Sequence, residues 1–185
     1  MWKILSSTSA LAISAVLTIT TISSVRADVF GGGPPDSGYY ADNSLHMYCM
    51  DLNYFPAWDT PMVDSLNYLQ SQTNMTVQKS LTCSNDTDAL FVVRNGPELT
   101  GIRGSTQCLK MTKIQGICAG SLITLNSDIL TDYVSRRKTS CHELGHTVGL
   151  THSWTSDDCM ISGASSNFLL NLHHANHINN YYAGK

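Results

Sequence analysis

Two histidines four residues apart, His142 and His146, enclose a glutamate at position 143, and a third histidine follows at 152. On an α-helix, positions i and i+4 lie one above the other, so His142 and His146 can present two imidazoles to one metal ion. Glu143 then projects close to that ion without having to bind it. Gly149 allows the chain to leave the helix through a left-handed conformation that a residue with a Cβ resists, and the turned chain can bring His152 back as a third ligand. Three nitrogens leave one vertex of a tetrahedral zinc for water, which is the arrangement of a catalytic centre and not of a structural one.

The run from His142 to His152 resembles the HExxHxxGxxH signature of the metzincin zinc endopeptidases. It is similar to the matrixin branch in having Ser153 directly after the third histidine. Asp158 to Ser162 looks like the Met-turn of that family, with Met160 as its methionine, and the eight-residue step from His152 to Met160 is similar to the short matrixin connection. The resemblance implies an α+β, metzincin-like fold. A twisted mixed sheet with two helices would form the N-terminal subdomain, and the Met-turn and one closing helix a small C-terminal one.

It also implies a protein or peptide substrate and one catalytic Zn2+ held by His142, His146 and His152. Glu143 would act as base and then acid on a water acidified by the metal. A thioether is a soft, weak donor, so Met160 is expected as an apolar floor below the imidazoles and not as a ligand. Some metzincins place a tyrosine two residues beyond this methionine; Ser162 stands there instead, which departs from the astacin and serralysin pattern. Structural Ca2+ is common in matrixins, but Asp157-Asp158 alone makes no dense acidic loop. Matrixins are commonly held latent by a propeptide cysteine, and no cysteine occurs before Cys49. Two other readings stay open: a narrow-specificity zinc amidase or dipeptidase, and a catalytically silent metal-binding module. The intact Glu143 weighs against the second.

Lys3, the apolar stretch 10–19 and the small residues around Val25-Arg26-Ala27 fit a secretory signal peptide over residues 1–27. Serines and threonines interrupt this segment before it reaches the roughly 20 apolar residues that span a bilayer, so secretion is favoured over anchoring and no stable membrane association is expected. Residues 28–38, rich in glycine and proline, read as a flexible arm. Residues 39–185 then form one peptidase-sized domain, expected as a monomer. Without the leader, 9 Lys/Arg face 14 Asp/Glu, a net charge of −5. The cations are scattered apart from Arg136-Arg137-Lys138, which reads as a solvated face, so no nucleic-acid partner is expected.

An even count of six cysteines, Cys49, Cys83, Cys108, Cys118, Cys141 and Cys159, behind an export signal argues for three disulfides. Fifteen connectivities are open. Proximity along the chain favours Cys108 with Cys118. The geometry expected of the zinc site favours Cys141 with Cys159, and Cys49 with Cys83 is left by elimination. Cys141 is a poor ligand despite its neighbour, because its side chain points about 100° away from that of His142 around the helix.

Several elements must position these groups. Leu45 to Leu52 reads as a strand, and Thr60-Pro61 as a cap and first residue of a helix running to about Gln72. Residues 75–81, Ala89 to Arg94, Gly101 to Lys113 and Leu122 to Leu125 have strand character. A substrate strand could add beside about Ile102 to Lys110, although an ordinary exposed strand explains that segment nearly as well. Asn167 to about Tyr181 reads as the closing helix, with Phe168, Leu169, Leu172, Ala175 and Ile178 on its buried side. His173, His174 and His177 are expected on a partly exposed polar face, a second metal site being the lesser alternative. His46 reads as a strand residue. Asn74 and Asn85 each begin a glycosylation pattern.

Overall fold

Short runs rich in β-branched, apolar and aromatic side chains form most of the sheet. In chain order the strands are β1 (Tyr40–Ala41), β2 (Leu45–Met50), β3 (Thr76–Lys79), β4 (Ala89–Arg94), β5 (Gly104–Met111) and β6 (Ile117–Asn126). The computed structural model describes residues 38–51 and 56–185. The expected leader 1–27, the arm up to residue 37, and Leu52 lie outside the described residues.

The order across the sheet is β3-β2-β4-β6-β5, with β1 beside the start of β6. All neighbours pair parallel except β5, which returns antiparallel along β6 and pairs with no other described strand. Parallel neighbours cannot be joined by a tight hairpin, so β2 reaches β3 through a crossover helix, α1 (Asp59–Gln72). The helix α2 (Tyr133–Thr147) packs against α1 and over β5 and β6, and a third helix, α3 (Leu172–Tyr182), closes the chain. The core gathers between helices and sheet, from Trp58, Met62, Leu66 and Leu69 to Phe91, Ile123, Leu125 and Leu144, and continues to Met160, Ile178 and Tyr182. No described helix is long and apolar enough to cross a membrane.

Two helix starts differ from the sequence reading. A 3-10 turn at Pro56–Trp58 runs directly into α1, so the helix begins at Asp59 and Thr60 lies inside it; the entry is fixed by burial of Trp58 and not by a hydroxyl cap. α3 begins at Leu172, because Asn171 Oδ1 accepts the His174 N–H at 2.9 Å and caps the helix there. Phe168 and Leu169 therefore belong to the preceding loop. Leu172, expected on the buried side, is 75% exposed, while His174, expected on a partly exposed face, is buried with Ala175 and Ile178.

His46 is a strand residue as expected, but a fully buried one that ties β2 to α2. Thr147 Oγ1 donates to the Leu144 carbonyl at 2.7 Å, so it accepts from His46 Nε2 at 3.0 Å. Burial lowers the His46 pKa from the ordinary 6.5 to about 4. The unfolded chain therefore takes up a proton at a pH where the folded chain refuses it. The stability that neutral His46 contributes is complete above pH 6.5 and is lost as pH falls towards 4. The slope is about 1.4 kcal/mol per pH unit. Urea unfolding between pH 4 and 7 should give a stability difference between the natural chain and His46→Gln that changes with this slope, since the contributions of Asp88 and Glu143, of opposite sign, are common to both.

Candidate metal centre

α2 supplies two of the three imidazoles and the glutamate. Its N-terminus is set by Asp132, whose Oδ1 accepts the Ser135 N–H at 2.9 Å. Its C-terminus is set by Gly149 at φ +99°, where the chain turns out of the helix and the Leu150 N–H returns to the Gly145 carbonyl. This turn brings His152 opposite His142 and His146. The ring centroids lie 4.8, 5.0 and 5.1 Å apart, and one ligand nitrogen from each ring lies within 4.8 Å of the others.

The second nitrogens show what the first are for. Nδ1 of His142 donates to the Cys159 carbonyl at 2.8 Å, and Nδ1 of His146 donates to the Leu150 carbonyl at the same distance. Each bond fixes the tautomer with a lone pair on Nε2, as a metal ligand requires. Burial, the neighbouring His146 and the Lys138 ammonium hold the His142 pKa well below its ordinary value, so the ring is neutral. Convergence, tautomer and neutrality all fit a borderline-soft divalent cation such as zinc.

Glu143 is 4% exposed beside the triad. Burial pushes its carboxyl up to about 7, against a hydrogen bond from Thr106 and the charge of Lys138. Thr106 Oγ1 lies 2.8 Å from Glu143 Oε2 and 2.9 Å from the Glu143 carbonyl oxygen. Thr106 stands on β5, and Gly104 of the same strand passes so close that a Cβ there would lie 2.8 Å from Glu143 Cγ and Oε1. The edge strand is thus pressed against the glutamate, its other edge unpaired by any described strand.

Met160 is fully buried against α2, where Gly145 makes room for it: a Cβ at 145 would lie 2.3 Å from the Met160 sulfur. The turn around Met160 is held from three sides. Asp158, also fully buried, accepts from the Met160 N–H at 2.6 Å, the Asn171 N–H at 2.9 Å and His174 Nδ1 at 2.6 Å. Cys159 is joined to Cys141 on α2. The other disulfides are Cys108–Cys118 across β5 and β6, and Cys49–Cys83. All three pairs are those preferred from the sequence.

Other groups are not where the sequence placed them. Arg136-Arg137-Lys138 is not a solvated face. Arg136 lies over the Trp58 ring and donates to the Leu130 and Thr131 carbonyls, and Arg137 lies 4.2 Å from the Phe168 ring centroid. Lys138 is 3% exposed and donates to the Ile161 and Gly163 carbonyls at 2.7 and 2.9 Å. The signal was available, because Lys138 precedes His142 by four residues and so shares the ligand face. His174 is not on a partly exposed face either: it is buried against Asp158, sixteen residues away in sequence. Thr106 and Arg103 reach the site only through the pairing of β5, which no local pattern announces.

No family model matches the sequence, and no curated protein does. Among solved structures, the crystal structure of archaemetzincin from Methanopyrus kandleri matches with a TM-score of 0.53 at 14% identity, over 75% of this chain and 96% of that one. At that identity the likeness is one of fold, which in this chain is a mixed α/β arrangement with a largely parallel sheet and three α-helices among the described residues.

Proposed function

We propose that this chain is a secreted zinc-dependent endopeptidase, metzincin-like in architecture and matrixin-like in its Ser153 and short Met-turn connection. The observation that carries the proposal is the set of three converging imidazoles, two with Nδ1 committed to a backbone carbonyl, beside a buried glutamate. The likeness in fold to archaemetzincin supports it, and three disulfides fit an oxidising, extracellular setting.

A zinc ion held by His142, His146 and His152 would supply Lewis acidity, acidifying a water and stabilising negative charge on a peptide carbonyl oxygen. Glu143 removes the proton from the attacking water and passes it to the departing amine. Burial raises its pKa and the charge of a bound metal would oppose that shift, keeping a carboxylate available as the base. Thr106 secures Oε2 and leaves Oε1 for the transfer. The outer edge of β5 offers main-chain donors and acceptors to an extended substrate, which would lie beside Glu143.

Casein digestion tests this reading. The purified chain should degrade casein, stop when a chelator is added, and recover on return of zinc. Cleavage confined to dipeptides or small amides, with casein intact, would replace the endopeptidase by the narrower hydrolase. Zinc binding without turnover of either would leave a silent metal-binding module.

A further inference from the structure

Beside His142 and Glu143 opens a cavity of about 230 Å³, walled by Arg103 and Gly104 on one side, Lys138 and Thr139 on another, and Ser162-Gly163 on a third. Its charge is unbalanced. Arg103 and Lys138 both line it, and among the described residues neither makes a salt bridge to a carboxylate. Arg103 Nε is buried without a hydrogen-bond partner among the described residues. The one acid on the wall is Glu143, already engaged by Thr106. Asp158, a further acid whose charge acts on Lys138, has its oxygens on Met160 N, Asn171 N and His174 Nδ1. An apolar side chain entering here would gain contact with Ile102 but strip water from two cations, whereas a carboxylate would form charge-assisted bonds to both.

We infer that this cavity is the specificity pocket of the proposed peptidase and that it receives a carboxylate of the substrate next to the scissile bond. The inference rests on the peptidase reading above and names the substrate that reading leaves open. The carboxylate can come from an acidic side chain within the substrate or from its C-terminus, and both offer the same two oxygens to Arg103. Lys138 also anchors the 161–163 turn, so Arg103 is the residue to vary.

The test uses the zinc-loaded full chain and quenched fluorescent peptides on one scaffold. In the first arm the ends are blocked, and the residue on either side of the scissile bond is Glu, Gln, Leu or Lys. In the second arm the scissile bond lies near a C-terminus that is free or amidated. The expected result is a preference of at least about tenfold in kcat/KM, for Glu over Gln in the first arm or for the free over the amidated end in the second. That ratio should fall towards one in Arg103→Gln and should shift towards Lys in Arg103→Glu. Because it compares two peptides on one enzyme preparation, partial loss of folding cancels. Equal cleavage of Glu and Gln peptides with no effect of amidation overturns the inference, as does an unchanged ratio in Arg103→Gln. If the natural chain cleaves no peptide and no casein, the peptidase reading falls as well.

Discussion

Glu143→Gln should retain one zinc per chain and lose hydrolysis of casein and of peptides by a factor of at least about 10³ in kcat, equivalent to roughly 4 kcal/mol of barrier. The amide can still accept a hydrogen bond from Thr106, so the packing of β5 on α2 survives. What it cannot do is take a proton from water. Zinc analysis and kcat measured on one preparation separate the two effects. An active variant would remove Glu143 from the chemistry, and a variant without metal would make its role structural.

His146→Ala should lose the metal and, with it, the stability that the metal confers. Two imidazoles hold zinc poorly, and the lost ring also leaves the Leu150 carbonyl, at the turn that delivers His152, with the Gly38 N–H in place of two donors. At free zinc a thousandfold above its dissociation constant, binding contributes about 4 kcal/mol to the natural chain. For a domain of this size that is a rise in melting temperature of about 10 °C. Thermal unfolding with added zinc and with a chelator should show this difference in the natural chain and none in the variant. Equal zinc protection in both would remove His146 from the ligand set.

The ligand face was legible because its signal is local. A spacing of four places His142 and His146 together whatever the rest of the chain does, and glycine at 149 announces the exit that the structure makes at φ +99°. Most strands were legible for a similar reason, and Ala89–Arg94 has the bounds read from its composition. What escaped depends on distant pairings. Thr106 meets the glutamate and Arg103 reaches the same cavity because β5 and β6 pair antiparallel, and Asp158 meets His174 because the loop after Met160 folds under α3. Lys138 was misread for another reason. Three consecutive cations looked like a solvated run, yet the helical period that aligns the histidines turns the third cation inwards beside them. The start of α3 was misplaced because apolar Phe168 and Leu169 extend the helical pattern, whereas the Asn171 cap decides where the helix begins.

Elemental analysis with X-ray absorption at the zinc edge, on the purified full chain, bears most directly on the central claim. The account predicts one zinc per chain with three nitrogen neighbours and one oxygen at about 2.0–2.1 Å. A chain without zinc, or zinc bound through sulfur, would contradict it.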